Sequence, residues 1–429
     1  MTSAPPTSPA SAPRVGVFRS LRHRNYRLFF AGQTVSLIGT WITRVATSWL
    51  VYRLTGSVLL LGFVGFFGQI PTLILAPFAG VMVDRWNRHR ILVVTQVLSM
   101  LQSFALAGLS FAGIITVTDV LLLQALQGII NAFDTPARQS FVVEMVESRS
   151  DLPNAIALNS SMVNLSRVVG PSIGGVIIAA VGEAWCFFLD GLSYLAVIGS
   201  LLAMRVVARP RHVATAKIRD ELLDGYRYVT RFPPVRSALL LLALVSTMGM
   251  PYTVLMPAIA RNVLRGDSHT LGFLMTAAGC GALAGALYLA SRHTVLGLGR
   301  VIAVAAIMFG GGLVFFSVSR NLILSLAVLP VAGAGMMVTM AATNTFLQTI
   351  VDERLRGRVM AFYAMAFLGT APVGSLIAGV VADRIGPTAT IALGGVACLA
   401  GGIWFAVGLP KFLDHVRPIY VERGIIGQG

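Results

Sequence analysis

Charge is what this chain has least of. Only 12% of its 429 residues are Asp, Glu, Lys or Arg, about half the share of an average soluble chain. So few charges cannot cover two or three water-facing domains, the number the length alone would allow. Cysteine is scarce too. Cys186, Cys280 and Cys398 each stand alone in an apolar run, which gives neither a disulfide framework nor a paired metal-ligand spacing. The chain also lacks a Gly-x-x-x-x-Gly-Lys-Ser/Thr phosphate loop and a His-Glu-x-x-His pair. ATP hydrolysis and zinc-hydrolase chemistry are therefore not written here, and no enzyme, metal or cofactor is expected. Acidic residues number 17 against 33 Lys and Arg, for a formal net charge of +16. Such a surplus often marks a nucleic-acid binder. These basic residues are not gathered on one polar domain, so no nucleic-acid partner is expected.

What fills the chain instead is apolar: 56% hydrophobic residues and a mean hydropathy of +0.79. About 20 apolar helical residues cross a hydrocarbon core of about 30 Å. That ruler finds twelve runs, near 28–52, 58–82, 91–114, 117–140, 155–181 and 185–204, then 237–260, 270–290, 300–319, 322–350, 358–382 and 388–409. Backbone polar groups in lipid must be satisfied within the segment, so the runs are read as helices. An all-α membrane protein of twelve transmembrane helices is expected.

The Pro/Ser/Ala-rich start is read as a disordered arm, 1–18, cytoplasmic like the C-terminal tail, 411–429. Arg19, Arg22, Arg24 and Arg27 precede the first run, which is too long for a signal peptide and lacks a cleavage site. With twelve spans, 26 of the 33 basic residues fall on the side of the termini, five on the other, and Arg44 and Arg167 within spans. That bias places both termini in the cytoplasm of an inner-membrane protein. The polar interval 205–236 contains apolar residues at helical spacing over about 217–231. It is read as a linker with a surface-lying amphipathic helix, dividing a six-helix bundle at 19–204 from another at 237–410.

The halves repeat. Gly170-Pro171 leads to Gly182, and Ala371-Pro372 leads to Gly386, the prolines 201 residues apart. A same-sense six-helix repeat predicts two pseudo-symmetric bundles around an axis along the membrane normal, with a central site that closes from either side.

Several segments resemble the major facilitator superfamily, and within it the transmembrane secretion effectors, a drug- and siderophore-exporting branch. They are NYRLFFAGQTVSLIGTW (25–41), SWLVYRLTGS (48–57), GVMVDRWNRHR (80–90), FDTPARQSFV (133–142), RVVGPSIGG (167–175) and LRGRVMAFY (355–363). The resemblance covers about 18–410.

In the 80–90 segment Gly80, Asp84, Arg85, Arg88 and Arg90 match the superfamily pattern; Asn87 replaces a glycine and His89 a basic residue. Gly80 is expected to admit another helix closely, and Asn87 to take a left-handed turn. The resemblance implies a cytoplasmic gate in which Asp84 accepts from the helix N-terminus near Leu355–Arg358. Asp134, Arg138 and Glu144 are expected to join it. In the 167–175 segment Gly170, Pro171, Gly174 and Gly175 match an antiporter motif, with Ser166 where an earlier glycine is usual; packing and gating are both open roles. Where the family carries an arginine in the fourth span, this chain has Gln124, followed by Gln127. Gly281, Gly285 and the run Gly310–Gly312 are expected to be helix contacts.

Ionisable groups inside spans are costly, and each is a functional candidate. Arg44, Arg167 and Asp190 are the three. Arg44 and Asp190 sit at about the same depth at 1.5 Å per residue, so an ion pair between them is expected. Arg167 is expected near the midplane, facing a water-filled cavity. By resemblance the cavity lies between the first, fourth, seventh and tenth spans. Candidate linings are Gln33, Trp41, Gln124, Gln127 and Asn131 in the first half, and Met248, Met250, Tyr252, Met336, Met337, Met340 and Asn344 in the second. Methionine suits an adaptable greasy site.

A monomeric secondary transporter is therefore expected, embedded in a lipid bilayer and moving a small amphipathic molecule outward by alternating access, with protons as the drive. An uptake or facilitative carrier of the same fold is the alternative; a non-transporting scaffold or sensor is a third.

Overall fold

The computed structural model describes residues 18–146, 148–205, 218–292, 294–423 and 426. The expected arm falls almost wholly outside them, as does most of the linker before Ile218. Among the described residues all regular structure is helical. The first six helices are α1 (Arg24–Thr55), α2 (Val58–Arg85), α3 (Arg88–Phe111), α4 (Val117–Met145), α5 (Leu152–Val181) and α6 (Glu183–Leu202). The linker helix is α7 (Ile218–Arg231), where sequence periodicity expected it. Then α8 (Pro233–Leu244) and α9 (Tyr252–Ala258) form one continuous span, Pro233–Val263, with π-helical turns at Val245–Gly249 and Ile259–Val263. There follow α10 (Ser268–Ala290), α11 (Leu298–Val318) and α12 (Leu322–Ile350). The span Glu353–Ile385 joins α13 (Glu353–Ala364) to α14 (Thr370–Ile385) through a third π turn, Met365–Gly369. Last comes α15 (Pro387–Glu422).

Ten of these helices and joined spans are long and apolar enough to cross a membrane. α1 and α4, at 32 and 29 residues, are long enough but more polar, carrying Arg44 and Gln33, or Gln124, Gln127 and Asn131. The least greasy helices are those expected beside an aqueous space. α15 runs through Pro410 and Pro418 to Glu422, so the segment expected as a tail begins as helix.

Side chains set the helix boundaries. Ser57, Asn87, Asp267 and Asn321 each accept from a first-turn amide, and Thr116 with Asp119 makes a capping box. Asn87 is extended (φ −73°, ψ 109°) and caps α3; the expected left-handed turn is not formed, because its amide oxygen stabilises more as a cap. Gly182 (φ 92°) and Gly386 (φ 86°) do enter the region that favours glycine, each between helices that share one short turn. They occupy matching places in the two copies of the repeat.

α1 packs on α5 and α6, α3 on α4 and α6, and α2 on α4; later, α10 and α11 pack on α12, and α11 on α15. α7 rests on α13, where Gly225 lies against Arg358 and Phe362. α1 and α2 touch α9, but the most extensive contacts between early and late helices are those of α5 with α10 and α2 with α14. Both lie toward the end of the molecule that bears the 56–57 turn. A Cβ at Gly175 would come within 3.1 Å of the Gly272 Cα, and one at Gly62 within 2.9 Å of the Gly379 Cα. Tyr52 hydroxyl accepts from Asn262 at 2.6 Å, and Ser268 donates to the Gly175 carbonyl at 3.1 Å. The opposite, basic end bears the 86–87 turn. Among the described residues nothing lies within 4 Å of a Cβ built on Gly80 or Gly357. The close helix approach expected at Gly80 is not made among the described residues. Gly281, Gly285, Gly310 and Gly312 do meet other helices, at Pro330, Ala334, Leu399 and Ala332.

Candidate functional site

Small residues bring α1 close enough to its neighbours to aim its polar face inward. Gly32 and Gly39 lie on α6, the latter against Asp190 and Ser193; Trp41 and Ile42 lie on Gly170 and Gly174 of α5. Thr47 accepts from Gln124 of α4 at 3.4 Å. At 100° per residue, Arg44 points about 60° from Trp41 on one side and about 60° from Thr47 on the other. It therefore projects between α5 and α4, where its side chain is exposed.

Its guanidinium lies over the Trp41 ring at 4.4 Å from the centroid, and that of Arg167 approaches the same ring at 5.5 Å. One indole thus carries two cations, each contact worth about 0.5–2 kcal/mol. Arg167 Nε and Nη1 are buried without a hydrogen-bond acceptor. Tyr252 of α9 lies in electrostatic reach of Arg167. Gln124, Gln127 and Asn131 line the α4 side, Gln127 donating to Ser99 and Asn131 at 3.2 Å each. From the late helices Met340 and Asn344 are partly exposed, whereas Gln33, Tyr252 and Met336 are buried. Met248, Met250 and Met337 are partly exposed as well.

The expected Arg44–Asp190 ion pair is not formed. Asp190 is 2% exposed and accepts from Ser103 of α3 at 2.8 Å. Equal depth was sound, but Gly39 is the residue facing Asp190, and position 44 lies about 140° around the helix from it. Among the described residues neither Arg44 nor Arg167 has a carboxylate partner. The interior cations and the interior anion are on opposite sides of α1.

At the basic end Arg88 pairs with Glu144 at 2.7 Å. Buried Asp134 accepts from Thr95 (3.0 Å) and Gln96 (2.7 Å) and meets Arg138 at 3.3 Å. These contacts bind α4 to α3 rather than reaching α13. Arg85 and Arg90 are exposed, and the side chain of Asp84 lies outside the described residues. A separate clasp holds the start of α1 to the start of α5: Arg19, Arg22 and His23 converge on buried Asp151. The His23 hydrogen bond, helped by both arginines, holds that carboxyl below its usual range. A cleft of about 450 Å³ between α7 and α13 is lined by Arg227, Arg231 and Arg358 with Tyr228, Phe232 and Leu355. It is remote from the Trp41 cluster.

Sequence reasoning missed the three π turns. Two of them touch: Ser246 donates to the Phe367 carbonyl at 2.5 Å. Such turns recur at functional sites. The signal available was Pro251, breaking the apolar run beside Gly249. It missed the clasp too, since the arginines before α1 read only as topology signals.

Among relatives, the chain is 28% identical to the multidrug efflux pump Tap of Mycolicibacterium fortuitum, over 92% of this chain and 95% of that one. It is 25% identical to the staphyloferrin A transporter of Staphylococcus aureus (87% and 93%) and 24% identical to macrolide efflux protein A of Streptococcus pyogenes (88% and 96%). In fold it is similar to a bacterial homolog of the human lysosomal transporter Spinster, inward-facing and unoccupied, with TM-score 0.67 and 16% identity over 93% of this chain and 98% of that one. The peptide transporter POT in complex with alafosfalin gives TM-score 0.71 at 14% identity, over 95% and 98%. A family model described as transmembrane secretion effector matches residues 15–417. With nearly its whole length so matched, the chain belongs to the transmembrane secretion effectors, a branch of the major facilitator superfamily.

Proposed function

We propose that this protein exports a small amphipathic molecule across the inner membrane by alternating access. In this reading α1 and α4 join the ten apolar spans to make twelve, grouped as six-helix bundles at 19–204 and 237–410, and one chain suffices. The bundles rock about the glycine contacts, and both termini are cytoplasmic because the basic end faces inward. The conformation is then closed outside and open inside, ready to load cargo from the cytoplasm. One observation carries the reading: α5 and α2 are sealed on α10 and α14 at one end, while at the other nothing among the described residues comes within 4 Å of a Cβ on Gly80 or Gly357. The names of the efflux relatives support the outward direction. Proton exchange is the proposed drive, and the 80–90 turn the proposed inner gate.

Everted membrane vesicles carrying the protein test this. Export from the cell appears as accumulation in the vesicle, so a radiolabelled drug panel should accumulate when the lumen is acidified and leak out when nigericin collapses the gradient. Accumulation indifferent to nigericin discards proton coupling. Uptake only by right-side-out vesicles would make the protein an importer instead.

A further inference from the structure

Among the described residues, two interior arginines without a carboxylate partner share one aromatic ring, Arg44 exposed and Arg167 half-buried. Arg44 and Arg167 lie 4.4 and 5.5 Å from the Trp41 centroid. Two of the three Arg167 nitrogens, Nε and Nη1, are buried with no acceptor. A charged group at membrane depth is tolerated when it pairs or meets water, and a buried donor left unmade is expensive. Asp190, the interior carboxylate, does not supply the pairing, because it is turned toward Ser103 across α1. The other described acidic side chains of the early helices are engaged elsewhere: Asp134 with Arg138, Glu144 with Arg88, Glu183 with Arg53, Asp151 with the clasp and Asp119 with Thr116. Tyr252, the polar neighbour from α9, brings a phenol and no negative charge at neutral pH. Among the described residues no carboxylate supplies the counter-charge, and a ligand can bring it.

We infer that the Trp41, Arg44 and Arg167 cluster is the binding site for the anionic head of the cargo, an organic carboxylate with a flat or apolar body. The inference rests on the export reading and narrows its substrate class. A guanidinium meets a carboxylate through charge-assisted N–H bonds; the Arg44 side chain is exposed, and Arg167 has Nε and Nη1 without an acceptor. The indole offers an apolar face beside them, and Gln124 adds a neutral amide from α4. Anion entry from the basic end is favoured by the positive field there. With the site loaded, repulsion between the two arginines is relieved, so the loaded form is the one that crosses.

Full-length protein in lipid nanodiscs tests this with tritiated naphthoate, whose ring and single carboxylate match the indole and guanidinium, against tritiated naphthamide, its neutral counterpart. Naphthoate should bind at least about tenfold more tightly than naphthamide, the loss expected for one charge-assisted bond pair. Arg167→Gln and Arg44→Gln should each weaken naphthoate about tenfold and leave naphthamide unmoved, while Arg167→Lys keeps part of the binding. If Arg167→Gln does not fold, Arg44→Gln and the naphthoate-to-naphthamide ratio on the native chain decide. Equal binding of both probes overturns the inference, as does naphthoate binding that ignores both substitutions. So does binding of radiolabelled inorganic phosphate in the absence of any naphthoate binding. Failure here leaves vesicle transport of neutral or cationic drugs intact and uncompeted by naphthoate. Failure of the export reading removes all flux while naphthoate still binds.

Discussion

At one end of the molecule Gly175 lies on Gly272 and Gly62 on Gly379, so that early and late helices touch backbone to backbone. At the other end a Cβ on Gly80 or Gly357 would meet nothing within 4 Å among the described residues, and the contacts are charges: Arg88 with Glu144, Arg138 with Asp134, and three cations on Asp151. The difference is in what each contact binds. The glycine contacts join early helices to late ones through backbone and small side chains, without a charge. The ion pairs lie within α4 or join early helices to one another, where a strong bond costs nothing in mobility between early and late helices. A carrier therefore needs weak, close-packed surfaces where it moves and polar clasps where it does not.

Four substitutions sharpen or break this contrast. The largest effect is expected from Gly175→Leu, since even a Cβ would stand 2.6 Å from the Ser268 carbonyl oxygen. Overpacking of 1–3 kcal/mol at such a contact should cut vesicle transport by about tenfold or more. It should also raise maleimide labelling of a cysteine placed at Asn262; unaltered flux and labelling would deny the closed end any role. Next comes Asp190→Ala, which strands the Ser103 hydroxyl inside the early helices. A cost of about 1–3 kcal/mol should appear as a lower Tm in detergent, with Asp190→Asn recovering most of it.

The clasp gives a smaller, pH-dependent effect. The Asp151 carboxyl is held below its usual range, first by His23. Its stabilisation is thus complete above the unfolded value of about 3.9 and is lost as pH falls through the depressed folded value. The Tm gap between native chain and Asp151→Asn should be constant from pH 7 down to about 4 and close below that. A gap that widens on acidification would reverse the sign. Smallest is Arg88→Ala. Its pair with Glu144 is partly solvated, worth about 0.2–1 kcal/mol, and should weaken with added salt. A transport loss as large as that of Gly175→Leu would show that the basic end, too, is a moving surface.

Much of this was legible in the residues. Hydropathy located ten spans because lipid forces every backbone group into a helix, and Gly182 and Gly386, which follow Pro171 and Pro372, share a backbone angle. Arg44, Arg167 and Asp190 stood out because charge in lipid needs a reason. What the residues could not give was azimuth. Depth placed Arg44 level with Asp190, but only the packing of Gly39 on α6 turns one away from the other. Nor did hydropathy disclose the π turns, since one extra residue per turn leaves an apolar run looking the same. Asn87 was read as a turn former when its side chain had the more specific work of capping α3.

The two glycine pairs lie on different helices, one where α5 crosses α10 and one where α2 crosses α14. Two pivots determine a line, and a door hung on two hinges has only its angle left to choose. In the proposed rocking, such a pair of pivots suppresses sliding and twisting and leaves the swing a single coordinate. Jamming either hinge should stop the door as surely as jamming both.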